Sequence, residues 1–330
     1  MKKKFRGKLI SPSSDIWAEN VRGAKWLSAD VIELAQTEEH KISTYVHPDY
    51  SACEYKLKLN IFSFGKLRLN IPFTVIAPPV SVDKSGFCGN LNVLIEDYKN
   101  RRGLFLILNL RSDEINIQMK AAVGKTLSSC IFQNNFDNFA DYLSAFRSSY
   151  RRRIKAAIHK GADLQVRRIE NSEFDNDLYN LYLQVLSKSD FPLECLTKHF
   201  FQNSDCETDV FYRESTPLAF VMYEKNETDM EFIFGGMDYA NSDKYSLYYN
   251  MLIHLVKIGI ESKVKFINFG QTAEITKCRI GCEPEDRFMI AFGGNAFLTY
   301  ILQLFAPFLQ NNKKIEECNV FKRGTRGESI

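Results

Sequence analysis

FINFGQTAEITKCRIGC, residues 266–282, decides how the rest of the chain is read. The apolar run VKFIN (264–268) ends in Gly270-Gln271-Thr272, and Lys277-Cys278-Arg279-Ile280-Gly281 follows. Glycine lets the backbone turn sharply where a strand ends. Gln271 and Thr272 then place donors and acceptors at the carboxyl end of that strand, where open α/β sheets bind ligands.

Working back from this stretch, the second half has a clear order of elements. DLQVRRIE (163–170) reads as a strand, FDNDLYNLYLQVLSKS (174–189) as a helix and LTKHFFQN (196–203) as a helix. DVFYRE (209–214), PLAFVMYEK (217–225) and DMEFIFGGM (229–237) read as strands. Asn226-Glu227-Thr228-Asp229 between the last two is turn material and predicts an antiparallel hairpin. DYANSDK (238–244) reads as a loop opening the helix YSLYYNMLIHLVKIGIES (245–262). After the VKFIN strand come a short helical turn, the strand RFMIAFG (287–293) and a final apolar helix, AFLTYILQLFAPFL (296–309).

The first half is rich in strand signals. SACEYKLKLNIF (51–62) alternates, KLRLNIPFTVIAPPV (66–80) runs apolar to Pro78-Pro79, and RGLFLILNL (102–110) reads as a buried strand. EINIQMK (114–120) alternates again, TLSSCIFQN (126–134) is a weaker strand, and LNVLIEDYK (91–99) a helix. Between the halves, Phe139, Leu143, Phe146, Tyr150, Ile154 and Ile158 make one apolar stripe at helical spacing. They predict a single joining helix over 137–160, with Asp137 as N-cap and Gly161 as stop. The fold class is therefore α/β (α+β): a mixed, mainly antiparallel sheet flanked by helices, in two halves, 1–135 and 136–330 with the joining helix.

The ordered set FRSSYRRRIKAA, LYNLYLQVLSKS, IFGGMDY, LYYNMLIHLVKIGI and FINFGQTAEITKCRIG resembles the GNAT superfamily of N-acyltransferases. Within it, the set resembles the FemAB-like, peptidoglycan biosynthesis/recognition branch. The resemblance is good over about residues 140–310 and rests on strand order alone before 135. It implies two GNAT-like halves, the second better formed. It also implies acyl-CoA (acetyl-CoA or longer) as co-substrate, its pyrophosphate on backbone N–H groups between the fourth strand and the next helix. The matching residues are Gly235, Gly236, Asn241, Ser242, Lys244, Tyr245 and Ser246. The Gln/Arg-x-x-Gly-x-Gly/Ala signature is absent there, and the alternative is a solvated loop capping a helix.

The resemblance also directs attention to acid–base and binding groups. Tyr248 is the candidate acid that returns a proton to the leaving group, and Glu231 or Asp238 the candidate base. Gln271, able to donate and accept, suits an amide or carbonyl, and Thr272, Lys277 and Arg279 suit the substrate or a carboxylate or phosphate. The plainer readings are turn-capping for Gln271 and Thr272 and packing for the tyrosines. Arg147, Arg151 and Lys155 share a helix face that fits an anionic partner or is simply wetted.

Bulk properties exclude other classes. A net charge of +3 from 43 basic and 40 acidic residues argues against a dedicated nucleic-acid binder. Eight cysteines without a framework read as reduced thiols in the cytoplasm. Cys278 and Cys282 lack a second pair or a nearby histidine, so no metal is expected. No span reaches transmembrane length, because 296–309 is too short and holds Pro307. Gly124-Lys125-Thr126 ends like a P-loop, but Met119 stands where that motif needs glycine.

The expected activity is direct attack of an amine, on a small molecule or peptide, upon an acyl-CoA. The alternatives are aminoacyl-tRNA-dependent transfer, with tRNA as partner, and a non-catalytic GNAT-fold binding module.

Overall fold

The computed structural model describes residues 4–60, 69–189, 193–311 and 318–322. The chain forms two compact units, residues 1–128 with 286–313 and residues 129–285 with 314–330.

In unit 1 the strands are β1 (Lys8–Ile10), β2 (Ile42–His47), β3 (Tyr50–Asn60), β4 (Asn70–Ile76), β5 (Phe87–Gly89), β6 (Leu104–Leu110) and β7 (Ala122–Lys125). The helices are α1 (Asp15–Asn20), α2 (Ala29–Ala35) and α3 (Leu91–Tyr98). β1 to β4 pair antiparallel in order, and α3 then carries the chain over to β6, parallel to β4 from Thr74↔Phe105 to Ile76↔Ile107. The strand at Phe288–Gly293 lies antiparallel between β6 and β7.

EINIQMK forms no strand in this unit; residues 115–121 are irregular. Ile115, Ile117 and Met119 still pack on the core around Leu94, Ile95 and Tyr98. Asn92 of α3 takes the place of a strand partner, donating to the Asn116 carbonyl (2.7 Å) and accepting from the Gln118 N–H (2.9 Å). The alternation reflects one-sided packing without a ladder.

Unit 2 contains α4 (Phe139–Ala145), α5 (Ser148–Lys160), α6 (Asn176–Ser187), α7 (Lys198–Asn203), α8 (Tyr239–Tyr245), α9 (Leu247–Glu261) and α10 (Glu274–Arg279). Its strands are β8 (Ser129–Gln133), β9 (Gln165–Ile169), β10 (Glu207–Arg213), β11 (Thr216–Lys225), β12 (Asp229–Met237), β13 (Phe266–Asn268) and β14 (Glu283–Glu285). The Phe288–Gly293 strand of unit 1 is β15, and α11 (Ala296–Leu309) follows it. The unit 2 sheet runs β14-β8-β13-β12-β11-β10-β9.

The hairpin between β11 and β12 forms as its sequence predicts, the Asn226 side chain accepting from Thr228 N (2.9 Å) and Asp229 N (2.8 Å). α9 then returns the chain to β13, parallel to β12. Both units thus repeat one order: antiparallel strands, a crossover helix, then a parallel strand. This is the mixed, mainly antiparallel, helix-flanked architecture read from the sequence.

Three local readings change. The joining helix is two helices, broken at Phe146-Arg147, where Phe146 (ψ 146°) and Arg147 (ψ 150°) are extended. Phe146 forms a β-bridge with Phe321, and Arg147 N donates to the Val320 carbonyl (2.9 Å), so a distant segment outbids the helical hydrogen bonds. The N-cap of α4 is Asn138 rather than Asp137. RFMIAFG, read with the second half, pairs with β6 and β7, and β13 takes β8 as its antiparallel neighbour.

Candidate active site

β12 and β13 pair over three residues only, Asp229↔Phe266, Met230↔Ile267 and Glu231↔Asn268. β12 continues to Met237 while β13 ends at Asn268. The β11–β12 register slips so that Ile233 is an extra residue, a bulge that bends β12 and raises its twist. Glu231 sits at the last paired position, where Asn268 Nδ2 donates to Glu231 Oε1 (3.1 Å). Asn268 also accepts from Gly270 N (2.8 Å), fixing the exit of β13. The sequence reading did not single out Asn268; its one signal was a polar residue ending an apolar strand.

The Gly270–Ala273 turn is strained. Gly270 (φ 68°), Thr272 (φ 65°) and Ala273 (φ 49°) all occupy the left-handed region, which only glycine enters without cost. Lys277, 2% exposed, holds this turn from below. Its ammonium donates to the Gln271 carbonyl (2.7 Å) and the Gly270 carbonyl (3.3 Å). Lys277 therefore points into the protein, beneath the turn that carries exposed Thr272 and half-buried Gln271, while Arg279 ends α10, half-buried.

The residues matched to a pyrophosphate cradle are placed differently from a flexible loop. Gly235 and Gly236 lie inside β12, opposite Val221 and Phe220. A side chain on Gly236 would stand 2.3 Å from the Phe220 ring and 2.7 Å from backbone atoms of Leu181 and Tyr182, so this glycine lets α6 pack close on the sheet. Residues 239–245 are the helix α8. Asp238 caps it, accepting from Ala240 N (2.9 Å) and Asn241 Nδ2 (2.6 Å), while Tyr239 N donates to Gln184 Oε1 (3.3 Å). Ser242 Oγ faces Met237 Sδ at 3.8 Å. Lys244 sits 4.8 Å from the Tyr245 ring centroid and, with Arg213, hydrogen-bonds that phenol, lowering its pKa.

Ser246 (φ 47°) joins α8 to α9, so the carbonyl end of one helix abuts the amide end of the other. The two dipole ends oppose one another there. The N–H groups expected to cradle a pyrophosphate are engaged, and a carboxylate stands among them, so these residues do not fit that group.

Tyr248 lies in the first turn of α9, half-buried. Burial pushes its phenol up, and Cys130, Cys282, Tyr239 and Glu274 add to the effect through space. The group is thus held protonated, as an acid must be. Near it lie the buried thiols Cys130 and Cys282, and Cys130 hydrogen-bonds Cys278. A hydrogen bond to Cys278 and burial raise Cys130, and the same bond lowers Cys278. Among the described residues no cluster of three or more His, Cys, Asp or Glu is arranged to hold a metal.

Arg151, half-buried, donates to the Ser144 carbonyl (3.5 Å). Its helix, α5, packs along the α8–α9 junction, where Asn250 Nδ2 bridges the Ala157 and Tyr245 carbonyls (2.8 Å each). Arg152, Arg153, Lys155 and Lys160 are exposed on α5, which contains no acidic residue.

A polar network absent from the sequence reading lies at the middle of α9, around His254. Asp209 accepts from Tyr223 (3.1 Å) and Arg168 and contacts His254 Nε2 at 2.9 Å. Burial alone would raise the Asp209 carboxyl, but the bonds from His254 and Arg168 prevail and hold it at about 2. Asp209 is 6% exposed and fully partnered, so the network anchors α9 to β10 and β11. In unit 1 a hollow of about 380 Å³ between β1, β2 and α2 is lined by residues such as Leu9, Ile32 and Ile42, none titratable.

No protein-family model and no curated protein matches this sequence. Solved structures do match. The C-terminal domain of a putative lysylphosphatidylglycerol synthetase from Agrobacterium fabrum aligns with a TM-score of 0.52 at 11% identity, over 88% of this chain and 96% of that one. A conserved protein of unknown function from Bacteroides thetaiotaomicron aligns with a TM-score of 0.51 at 10% identity, over 79% and 89%. A tandem GNAT protein from the clavulanic acid biosynthesis pathway gives a TM-score of 0.44 at 8% identity, over 88% and 98%.

The fold is shared with the Agrobacterium fabrum domain and the Bacteroides thetaiotaomicron protein. At these identities the likeness speaks of fold alone.

Proposed function

We propose that this protein is an acyltransferase in which an amine attacks an activated acyl donor directly where the pairing of β12 and β13 ends. The observation that supports the reading is the end of the β12–β13 pairing, where Glu231 and Asn268 are hydrogen-bonded, with Tyr248 on α9, the second helix after β12. Glu231 takes the proton from the attacking amine. The new C–N bond forms as the bond to the donor's leaving atom breaks, and Tyr248 protonates that atom. Backbone N–H groups beyond the last β12–β13 pair stabilise the oxyanion. Gln271, Thr272 and Arg279 border the acceptor side.

Two donors are compatible with this chemistry: an acyl-CoA, and the aminoacyl ester of a tRNA. The second is favoured by α8. A carboxylate-capped helix occupies the place of a pyrophosphate cradle, and an ester on RNA requires no such cradle. The basic face of α5 beside it suits phosphates.

Binding of acetyl-CoA and of an aminoacyl-tRNA acceptor stem, measured at about 50 mM and about 200 mM salt, tests the choice. The expected result is salt-sensitive binding of the RNA and transfer to an amine that Tyr248→Phe and Glu231→Gln each reduce by roughly a hundredfold or more. Saturable acetyl-CoA binding with a rise in melting temperature restores the thioester donor. Transfer by both variants at the wild-type rate removes the assigned roles.

A further inference from the structure

α11 is apolar on both faces. Its inner face docks on unit 1: Leu302 is buried against Tyr55, Phe73 and Leu106, Thr299 bonds Gly293, and Gln303 Nε2 donates to the Ala121 carbonyl (3.2 Å). Its outer face carries Phe297 (70% exposed), Tyr300 (58%), Leu304 (57%) and Phe305 (36%). Residues 297, 300 and 304 follow helical spacing and form one stripe. Leu69 on β4's entry is 50% exposed, and its spacing from Ile71 and Phe73 places it on the same side of the sheet as α11. No charged residue occurs in the 14 residues of α11. A helix of this kind is ordinarily buried, and an apolar patch left in water marks a surface that something covers.

We propose that α11 is an interfacial helix by which unit 1 docks on a phospholipid bilayer. Its length excludes spanning: 14 residues reach about 21 Å, against about 30 Å of hydrocarbon. The exposed fractions of these five side chains amount to roughly 500 Å² of apolar surface, taking about 200 Å² for each. That falls short of the roughly 800 Å² per partner of a stable protein interface. Insertion into a bilayer requires no complementary shape, and Phe, Tyr and Leu are the residues that settle at the headgroup boundary.

Basic residues stand at both ends of the helix. The exposed Arg102 lies in the turn that meets Gly294, where Gly294 N donates to the Gly103 carbonyl (2.9 Å). Lys125, whose carbonyl accepts from Asn311 N (2.7 Å), is at the other end, paired with Asp286. Arg102 can meet an anionic headgroup directly, and Lys125 can do so by exchanging Asp286 for one.

Flotation of the intact chain with phosphatidylcholine vesicles, with and without phosphatidylglycerol, tests the proposal, with neither acyl donor nor acceptor present. The wild type floats with the anionic vesicles. The variant Phe297→Ser/Tyr300→Ser/Leu304→Ser binds at least roughly tenfold more weakly, each lost apolar side chain being worth that much. A Leu304→Trp variant gives an independent reading should the triple variant misfold: its emission shifts to the blue on vesicles, while the native Trp17 and Trp26 are already buried. Absence of flotation with either lipid, an unchanged Leu304→Trp emission, or a wild-type dimer that the triple variant abolishes overturns the proposal.

Discussion

Lys277→Met tests whether the strained turn at the carboxyl end of β13 is held by a buried ammonium. Methionine matches the length of the lysine stem and suits the surrounding apolar packing, but it cannot donate. Two carbonyls, on Gly270 and Gln271, then lose a charged donor at 3.3 and 2.7 Å. Bonds to charged groups are worth about 1.5–3 kcal/mol each, so the gross loss is about 3–6 kcal/mol. Two effects reduce it. Burying an ammonium itself costs several kcal/mol, which methionine avoids. Relaxation of Thr272 and Ala273 from φ 65° and 49° returns about 1–2 kcal/mol each. Full relaxation of the turn would bring the net loss towards zero. If the turn keeps its left-handed residues and only the ammonium's burial cost offsets the gross loss, the net expectation is a destabilisation of about 2 kcal/mol. For a unit of this size that lowers the melting temperature by roughly 4–8 °C.

Strain that can relax also makes the change local. Amide exchange measured by mass spectrometry should accelerate in 268–277 well before the β10–β12 hairpins respond. The reasoning is refuted if Lys277→Met melts like the wild type and its 268–277 amides exchange at the wild-type rate.

Two further outcomes follow from the packing of unit 2. The Asp209 carboxyl is depressed from 3.8 to about 2; its stabilisation is therefore present above the unfolded value and is lost as pH falls from about 4 to about 2. The shift corresponds to about 2 kcal/mol, and urea titrations of Asp209→Asn across that window should show a correspondingly flatter acid limb. Gly236→Ala forces a methyl within 2.3 Å of the Phe220 ring and 2.7 Å of the α6 backbone, which should cost about 1–3 kcal/mol in chemical denaturation. A neutral result would show that α6 is not seated through that glycine.

Much of the architecture was legible because its signals are local. The Asn226 turn, the apolar β11 and the run from β12 through α9 to β13 are periodic patterns with punctuation a few residues away, and they form where the sequence places them. Glu231 and Tyr248 are candidates from their positions in that order; Glu231 lies at the last β12–β13 pair and Tyr248 in the first turn of α9, and their roles are proposals. The Asp209–His254 contact was not legible, since 45 residues separate its partners and each alone looks like an ordinary packed polar residue.

Local signals failed where a distant group competed. The alternation of 114–120 was one-sided packing on α3, with Asn92 occupying the edge a strand would need. The stripe of 139–158 did specify helix, but the 320–322 segment supplied better hydrogen bonds at Phe146 and Arg147. DYANSDK lacks an apolar period, yet Asp238 and Gln184 give its N–H groups partners and it closes into α8.

The sequence by itself determined which segments are strands and helices in most of the chain, their order, and hence the mixed helix-flanked class. Only tertiary structure decided that β15 joins β6 and β7 while β8 joins β13, where the pairing of β12 with β13 ends, and that Lys277 turns inward. The physical reason is that a side-chain period records only which face of an element is buried. The choice among far-apart hydrogen-bond partners depends on which backbone edges and buried charges remain unsatisfied once the units have packed.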